Sequence, residues 1–381
     1  MYNLQQYRSW FPHLLTGKIY LNHAAISPLS TRVNHAVDAF LESRTVGSID
    51  PFLETQRASA LLKENLAKIL NASAERIGFV QNTSEGLNIL ANGLEWKSGD
   101  RILLNDSEFP ANVVPFLNLK RSGVEIDFVR TDNGKIYIEE IEKLITPKTK
   151  LLSLSFVQFL SGYKADLETI GKLCREKQIL FCVDAIQGLG VSPMDVQNFQ
   201  IDFLSCGGHK WLMGLMGLGF IYLTEELQQR IHQANAGWTS NKNFFSDFLN
   251  YRIDFDETAR RYENGTQSYL AVAALGKSTQ TLLEIGIEAI QSHIHSITEK
   301  IFSSAEEMGC KIITPHHTGE RAGIVTVQHP KAKEIFQELS EQNIIVSMRE
   351  GMIRIAPHFY NSEEDISVFL SMFRSLNEEF S

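Results

Sequence analysis

Cysteine, positive charge and long apolar runs are all scarce in this sequence, and each scarcity excludes a class of protein. Only four cysteines occur in the 381 residues, and none of them forms a CxxC pair. They are Cys174, Cys182, Cys206 and Cys310, and each lies in an apolar stretch. This usage is typical of free thiols in a reducing compartment.

Neither export nor membrane insertion is indicated. The start of the chain lacks a basic segment followed by an apolar one, which an export signal requires. The longest apolar run, residues 211–223, spans 13 positions, whereas a helix needs about 20 to cross a bilayer. We therefore expect a cytoplasmic protein without a membrane partner.

Positive charge is in deficit. Lys and Arg number 36 against 45 Asp and Glu, which gives a net charge of -9, the wrong sign for a surface that follows nucleic-acid phosphates. Hydrophobic residues make up 43% of the chain and charged residues 21%, as in folded globular proteins. At roughly 150 residues per domain, the length predicts two or three structural units.

Short β-rich runs alternate with helix-length segments over about residues 27–202. We predict strands at 77–80, 101–105, 125–130, 150–157 and 179–184, separated by helices or loops. This alternation predicts an α/β protein with a parallel sheet covered by helices. Ligands of such sheets bind beyond the carboxyl ends of the strands, so polar residues at those ends are the candidate site residues.

The pattern changes after about residue 255. One long helical stretch, residues 266–307, precedes several short strands and two helices, which predicts a small C-terminal α/β domain. We expect a large domain over residues 15–280 and a small domain over 281–381. Residues 1–14 are expected to pack on the small domain.

The segment FLSCGGHKWLMGLMGLG, residues 203–219, carries the first candidate catalytic residue. Here a strand runs into two glycines, His209 and Lys210. A lysine buried at a strand end has a lowered pKa, so its neutral amine is available as a nucleophile. The alternative is a lysine that extends to solvent beside a surface histidine. The glycine order GxxGxG reverses the dinucleotide motif GxGxxG, so nicotinamide binding is not favoured.

Two other strand ends supply complementary groups. Asp184 follows the strand 179–183 and lies 26 positions before Lys210. This spacing allows both side chains to project from one edge of the sheet. The alternative for Asp184 is a role in a turn or a helix cap. Thr83 and Ser84 lie at a strand-to-helix junction, which is an anion site or only a helix cap. Together these groups suit a phosphorylated cofactor with a reactive aldehyde and a ring nitrogen.

The sequence at this point resembles the class V aminotransferases, fold-type I pyridoxal 5'-phosphate (PLP) enzymes that include cysteine desulfurases, kynureninase and isopenicillin N epimerase. The resemblance runs from YLNHAAISPLS, beginning at residue 20, to IRIAPHFYNSEEDI, ending at residue 366. The motifs GGHK, VDAIQ, NTSEGLN, EFPANVVPF, RRYENGTQS and GMIRIAP match those of the family. The resemblance implies a large, mostly parallel seven-stranded sheet with helices on both faces and a small C-terminal α/β domain.

The resemblance also implies roles around the cofactor. It makes Lys210 the residue that holds PLP as a Schiff base and moves the α-proton of the substrate. Asp184 would pair with the ring nitrogen, which keeps the ring protonated as an electron sink. Gln187 would donate to the phenolic oxygen of the ring, and His209 would lie near the phosphate.

Further positions complete the implied site. Thr83 and Ser84 match phosphate-binding positions, and Phe109 matches an aromatic residue stacked on the cofactor, which is histidine in many relatives. Thr266 matches a threonine that binds the phosphate of the neighbouring subunit, so a homodimer is expected. Arg354 matches the arginine that binds the α-carboxylate of the substrate.

The chain departs from the family pattern at three points. Phe159 replaces an asparagine that contacts cofactor and substrate in desulfurases, unless Gln158 supplies this contact. Gly207 replaces a serine of the phosphate site. No cysteine lies between Asn343 and Arg354, where desulfurases carry the nucleophile that accepts sulfur.

We therefore expect a PLP-dependent aminotransferase that acts on an amino acid, such as phosphoserine or another small acidic one, with a 2-oxo acid as second substrate. An epimerase or lyase like isopenicillin N epimerase or kynureninase is the alternative, and a catalytically silent regulator is a third. Cysteine desulfurase activity is expected to be absent. No metal site is expected, since His293 and His295 face different sides of a predicted helix. The role of Arg349, at the substrate entrance or on the surface, stays open.

Overall fold

Strands and helices alternate through most of the computed structural model, which describes residues 2–246 and 248–380. The strands are β1 Ile19–Tyr20, β2 Ile77–Val80, β3 Arg101–Asn105, β4 Glu125–Val129, β5 Thr149–Ser155, β6 Leu180–Asp184, β7 Phe203–Gly207, β8 Gly219–Leu223, β9 Lys311–Ile312, β10 Val325–Gln328, β11 Ile344–Ile345, β12 Ser347–Arg349 and β13 Met352–Ile355. The helices are α1 Leu4–Arg8, α2 Thr31–Thr45, α3 Phe52–Leu70, α4 Thr83–Gly93, α5 Val114–Leu117, α6 Ile138–Leu144, α7 Leu167–Glu176, α8 Glu225–Arg230, α9 Tyr269–Ile285, α10 Ile287–Glu307, α11 Ala332–Glu341 and α12 Glu363–Glu379.

The largest sheet has seven strands in the order β2-β8-β7-β6-β5-β3-β4. From β7 to β4 each strand runs parallel to the next, whereas β8 is antiparallel to both β2 and β7. Every residue of β6, β7 and β8 is buried, as expected for strands covered on both faces. The predicted mostly parallel, seven-stranded α/β architecture is confirmed.

A second, antiparallel sheet has the order β12-β13-β10-β9, and β1 pairs with β11 separately. Ile301 of α10, Ile335 of α11 and Phe369 of α12 pack in one apolar cluster beside it. Near the start of the chain, the Tyr2 hydroxyl donates to the Phe359 carbonyl at 2.6 Å. The division into residues 15–280 and 281–381, with 1–14 on the small domain, stays a prediction.

The helical stretch predicted over residues 266–307 is two helices rather than one. Gly286 separates α9 from α10 with a φ of +91°, a left-handed conformation that glycine adopts without steric cost. Apolar residues recur at helical spacing on both sides of this glycine, so the periodicity of the sequence hides the break. No helix among the described residues is long and apolar enough to cross a bilayer.

The parallel strands bring three chain segments to one edge of the seven-stranded sheet. β5, β6 and β7 end at Ser155, Asp184 and Gly207, and Asp184 pairs in register with Ser155 and Ser205. The predicted grouping of polar strand ends is therefore present in the structure.

Helix α4 begins against this same edge. The Ser205 hydroxyl donates to the Thr83 carbonyl at 3.0 Å, which ties the first turn of α4 to β7. A Cβ built on Gly86 would lie 2.2 Å from Ser205 Oγ, so the helix approaches the strand this closely only with glycine at that position. The amino end of α4 thus lies next to the end of β7.

His358 is a fully buried imidazole whose nitrogens are both committed to the backbone. Its Nε2 donates to the Trp211 carbonyl at 3.0 Å, and its Nδ1 accepts from the Phe359 nitrogen at 2.8 Å. A proton on Nδ1 would face another N–H, so the ring is neutral. Burial lowers the pKa of His358 to about 4.

We expect this histidine to make the protein less stable in mild acid. The unfolded chain takes up the proton near its ordinary pKa of about 6.5, whereas the folded chain does so near 4, so the free energy of unfolding falls as pH falls between these values. Between pH 7 and 5 the loss from His358 is on the order of 2 kcal/mol. Urea unfolding at both pH values measures it.

The matched comparison is His358→Asn against His317→Asn. His317 lies exposed in a loop and serves as the control, whereas His358→Asn should make the dependence of stability on pH less steep. Parallel curves for wild type and His358→Asn would contradict the assignment.

Candidate active site

A cavity of about 330 Å³ opens at the carboxyl edge of the seven-stranded sheet. Its walls contain the predicted site residues with the exception of Thr266. The predicted residues in the lining are Thr83, Ser84, Phe109, Asp184, Gln187, His209, Lys210 and Arg354. Sequence reasoning assigned no role to five other lining residues, which are Ala24, Ala25, Asn82, Ala111 and Ile186. Ala24, Ala25 and Asn82 belong to the NHAA and NTSEG motifs. Their position within these motifs could have identified them.

Lys210 and Asp184 form the charged centre of the cavity. Asp184 is 2% exposed, and its Oδ1 accepts from the Ile186 nitrogen at 3.0 Å. Burial lowers the pKa of Lys210 and raises the pKa of Asp184, while each charge opposes the shift of the other. The amine is therefore easier to deprotonate than that of an exposed lysine, as a nucleophile or a base requires.

The amino end of α4 forms a corner suited to a phosphate. Asn82 caps the helix by accepting from the Glu85 nitrogen at 2.9 Å. The Thr83 hydroxyl is buried and has no hydrogen-bond partner among the described residues, and Ser84 lies beside it in the cavity wall. A helix amino end with a free buried hydroxyl attracts an anionic oxygen.

His209 and Gly207 border this phosphate corner. Burial lowers the pKa of His209, and the nearby charge of Lys210 acts in the same direction, so a neutral imidazole is favoured. A Cβ on Gly207 would lie 3.0 Å from the Ile186 side chain and 3.3 Å from that of His209. A side chain at this position would therefore require the Ile186 or His209 side chain to shift by a few tenths of an ångström.

Gln187 is fixed at both ends of its amide. Its Nε2 donates to the Ala24 carbonyl at 3.0 Å, and its Oε1 accepts from Trp211 Nε1 at 2.8 Å. The amide NH₂ carries a second hydrogen, and Gln187 lines the cavity, which suits the predicted donation to the cofactor ring.

Two phenylalanines form an aromatic wall opposite Lys210. The Phe109 ring centre lies 5.6 Å from Lys210 Nζ, and the Phe109 and Phe159 rings meet edge to face with centres 5.2 Å apart. The ring of Phe109 is 43% exposed. A flat surface is thus available on which an aromatic cofactor can stack.

Arg354 is held rigidly, whereas Arg349 is exposed. Arg354 is 2% exposed, and it donates through Nε to Ser347 Oγ at 3.1 Å and through Nη1 to the Phe159 carbonyl at 2.7 Å. Burial, followed by the charge of Arg349, lowers the pKa of Arg354 to about 10. Both arginines line the cavity, and the choice between an entrance role and a surface role for Arg349 stays open.

Two sequence-based expectations concern residues outside this cavity. Gln158 does not line it, and its Nε2 donates instead to Glu108 at 2.9 Å, so it does not replace the asparagine lost at Phe159. Thr266 is exposed and lines separate surface depressions, one of them together with Trp238 and Phe244. Its predicted role in a partner's site stays a prediction.

The donors of the cavity fit PLP. A free hydroxyl at a helix end suits the phosphate, a buried carboxylate suits a ring nitrogen, and a lysine with a lowered pKa suits the aldehyde. The family model described as Aminotransferase class-V matches residues 19–369. This chain belongs to that family. The class V chain is accordingly a PLP-dependent enzyme, as predicted.

Several known proteins are similar to this class V enzyme. It is 27% identical over 304 residues to "Uncharacterized aminotransferase YcbU" of Bacillus subtilis, with 80% of each chain covered. It is 28% identical over 330 residues to a "Probable cysteine desulfurase" of Pyrococcus abyssi, with 82% of this chain and 81% of the relative covered. A solved complex of the cystine C-S lyase C-DES with cysteine persulfide has a TM-score of 0.87 and 26% identity, with 96% and 99% of the two chains covered.

These similarities correct the functional prediction. We expected an aminotransferase, or an epimerase or kynureninase-like lyase, that is not a cysteine desulfurase. Curated relatives from several organisms are named probable cysteine desulfurase. The exclusion was wrong because it relied on one missing thiol. A sulfur atom can also be accepted by a thiol elsewhere or leave on the substrate's own second sulfur.

Proposed function

We propose that this class V enzyme breaks the carbon–sulfur bond of cysteine or of its disulfide, cystine. The observation that carries the proposal is a single cavity in which Lys210 and Asp184 face two arginines, Arg349 and Arg354. The first pair suits removal of an α-proton, and the second pair suits an amino acid with one or two carboxylates. The names of the desulfurase and C-S lyase relatives support sulfur as the leaving atom.

Each residue then has a defined task. Arg354 binds the α-carboxylate, because its guanidinium is already fixed by Ser347 and the Phe159 carbonyl and loses little freedom on binding. The neutral Nζ of Lys210 accepts the α-proton. PLP, when bound, supplies the electron sink for this step. Asp184 holds a proton at the ring nitrogen.

Two fates of the sulfur are consistent with this chemistry. With cystine, β-elimination releases cysteine persulfide, and water converts the remaining three-carbon fragment to pyruvate and ammonia. With cysteine, the sulfur passes to a thiol, which becomes a persulfide, and the carbon skeleton leaves as alanine. No cysteine is among the cavity-lining residues, which favours cystine, whereas the names of the curated relatives favour cysteine.

Product analysis of the PLP-loaded protein tests the proposal. Pyruvate from cystine would identify C-S lyase activity, and alanine from cysteine, with a thiol present as acceptor, would identify desulfurase activity. Formation of neither product, together with full loading by PLP, would reject carbon–sulfur cleavage.

We predict that Arg349 recognises the second carboxylate of cystine. Arg349→Gln should raise the KM for cystine about tenfold, because the substrate loses one charged hydrogen bond. The KM for cysteine should change little, because free cysteine lacks the second carboxylate. Arg374→Gln, on the exposed surface of α12, is the control. Equal changes in KM for both substrates would contradict the assignment.

We further infer that the active unit is a homodimer in which Thr266 binds the phosphate at the partner's site. Support comes from the exposure of Thr266 outside its own cavity and from exposed aromatic side chains nearby, with Trp238 at 45% and Phe248 at 60%. Losing the hydroxyl should weaken PLP binding by about tenfold, since a hydrogen bond to a charged group contributes roughly 1.5 to 3 kcal/mol. The cytoplasmic location stays a prediction.

Mixed dimers distinguish action across the interface from action within one subunit. A Thr266→Ala subunit is paired with a Lys210→Ala subunit at limiting PLP. If Thr266 acts in trans, one site carries both defects and the other carries none, so about half of the wild-type activity per dimer should return. Recovery would be absent if each site carried one defect.

A further inference from the structure

Glu108, which is partly buried, lies at the centre of a hydrogen-bond network next to Phe109. Its carboxylate accepts from Asn105 Nδ2, Asn112 Nδ2, Gln158 Nε2, and both the backbone nitrogen and the hydroxyl of Ser155, at 2.5–3.2 Å. Among the described residues no lysine or arginine pairs with it, so these donors stabilise its charge.

The donors come from three separate segments of the chain. Asn105 ends β3, Asn112 ends the turn that follows Phe109, and Ser155 and Gln158 belong to the end of β5 and the loop after it. Each donor residue is at most 5% exposed. One carboxylate therefore holds three segments in a fixed relative position.

Two of these segments carry the aromatic wall. Phe109 directly follows Glu108, and Phe159 directly follows Gln158. The two rings are in edge-to-face contact, and the Phe159 carbonyl accepts the hydrogen bond from Arg354 Nη1. The network thus reaches both the stacking surface and the carboxylate-binding arginine.

The Gln158 amide has one hydrogen-bond partner among the described residues, the Glu108 carboxylate. Gln158 Oε1 is buried and has no hydrogen-bond partner among the described residues. An unpaired buried carbonyl oxygen costs about 1 to 3 kcal/mol, and the bond from Nε2 to Glu108 is the contact that offsets this cost. Without the carboxylate, the Gln158 side chain would lose this bond, and the Phe159 loop would be held by backbone hydrogen bonds such as that from the Gln158 nitrogen to the Tyr163 carbonyl.

We propose that Glu108 is a positioning residue that sets the Phe109 ring and, through Gln158 and the Phe159 carbonyl, the orientation of Arg354. Glu108 itself lies outside the cavity lining. The inference goes beyond the proposed function, since it concerns the shape of the PLP cavity and holds for any amino acid that binds there.

Glu108→Gln in the PLP-loaded protein tests this role. The substitution keeps the size of the side chain, but the NH₂ group of glutamine cannot accept the hydrogen bonds that the Glu108 carboxylate accepts from the asparagine, serine and Gln158 donors. Two readouts are independent of carbon–sulfur cleavage: the visible circular dichroism of bound PLP, and the affinity for glycine measured from the change in PLP absorbance. Misaligning the charged hydrogen bond between Arg354 and the glycine carboxylate costs on the order of tenfold in affinity, so we expect about tenfold weaker glycine binding and an altered dichroic band. Asp106→Asn, a carboxylate of the same loop that bonds to Thr131, should match wild type.

Gln158→Ala separates positioning from simple stabilisation. If Glu108 reaches Arg354 through Gln158, this variant should also weaken glycine binding, and the double variant should weaken it by far less than the product of the two single effects. A wild-type glycine affinity and dichroic band in Gln158→Ala would overturn the proposal, even if Glu108→Gln failed to fold. So would a Glu108→Gln protein that loses thermal stability but keeps both cofactor readouts.

Discussion

Replacing Lys210 by alanine should lower turnover by about 10³-fold or more, because a single group is lost that acts both as nucleophile and as proton acceptor. The phosphate corner at α4 does not involve this lysine, so PLP should still bind. Borohydride should fix the cofactor to the wild-type chain but not to the variant. Mass spectrometry of the reduced, digested protein identifies the labelled peptide.

Lys164 provides the matched control for this experiment. Burial lowers its pKa as well, but it lies outside the cavity lining. Lys164→Ala should therefore keep near-wild-type turnover and full labelling. Labelling of any lysine other than Lys210 in the wild-type protein would show that the assignment is wrong.

Asp184→Asn should keep PLP and lose turnover by about 10²-fold, the usual effect of removing one preorganised electrostatic contact. Asparagine keeps the size of the side chain, and its oxygen can still accept from the Ile186 nitrogen. It lacks the negative charge that holds a proton on the ring nitrogen, so the electron sink is weakened. Turnover and PLP content are measured on the same sample.

Asp202 is the control carboxyl. Burial raises its pKa, and it accepts from the Phe181 nitrogen at 2.8 Å, yet it does not line the cavity. Asp202→Asn should affect stability more than turnover. If Asp184→Asn and Asp202→Asn lost turnover equally, the loss would reflect general destabilisation and the electron-sink role would be rejected.

The parallel sheet and the meeting of Asp184 and Lys210 in one cavity could be predicted from sequence because local patterns determine them. Apolar runs between helix-length segments identified β2, β3, β5 and β6, and parallel strands necessarily bring residues such as Asp184 to one edge. Arg354 is different. It lies in an antiparallel strand of another sheet, and only the family resemblance connected it with Lys210.

Glu108 escaped sequence reasoning for a physical reason. Its partners Ser155 and Gln158 lie about 50 positions away and meet it only because β3 and β5 are neighbours in the sheet. A glutamate between a serine and a phenylalanine reads like any polar loop residue. The break at Gly286 was missed because apolar periodicity continues across it.

The reaction could not be predicted because the same lysine, aspartate and arginine serve many PLP-dependent reactions. The choice among them depends on what occupies the substrate's β-carbon and where the leaving atom goes. Those factors are set by side chains such as Arg349 and Phe159, whose types alone do not define a substrate. Treating one absent thiol as decisive produced the error.

The placement of Arg354 and Lys210 in different sheets has a consequence for the bound substrate. Arg354 belongs to β13 of the antiparallel sheet, whereas Lys210 follows β7 of the seven-stranded sheet. An amino acid held by its carboxylate at Arg354 and by its reacting centre at Lys210 would add a contact between the two sheets to the bond that Arg354 already makes to the Phe159 carbonyl. An amine without a carboxylate would lack this added contact even where it reaches the same lysine.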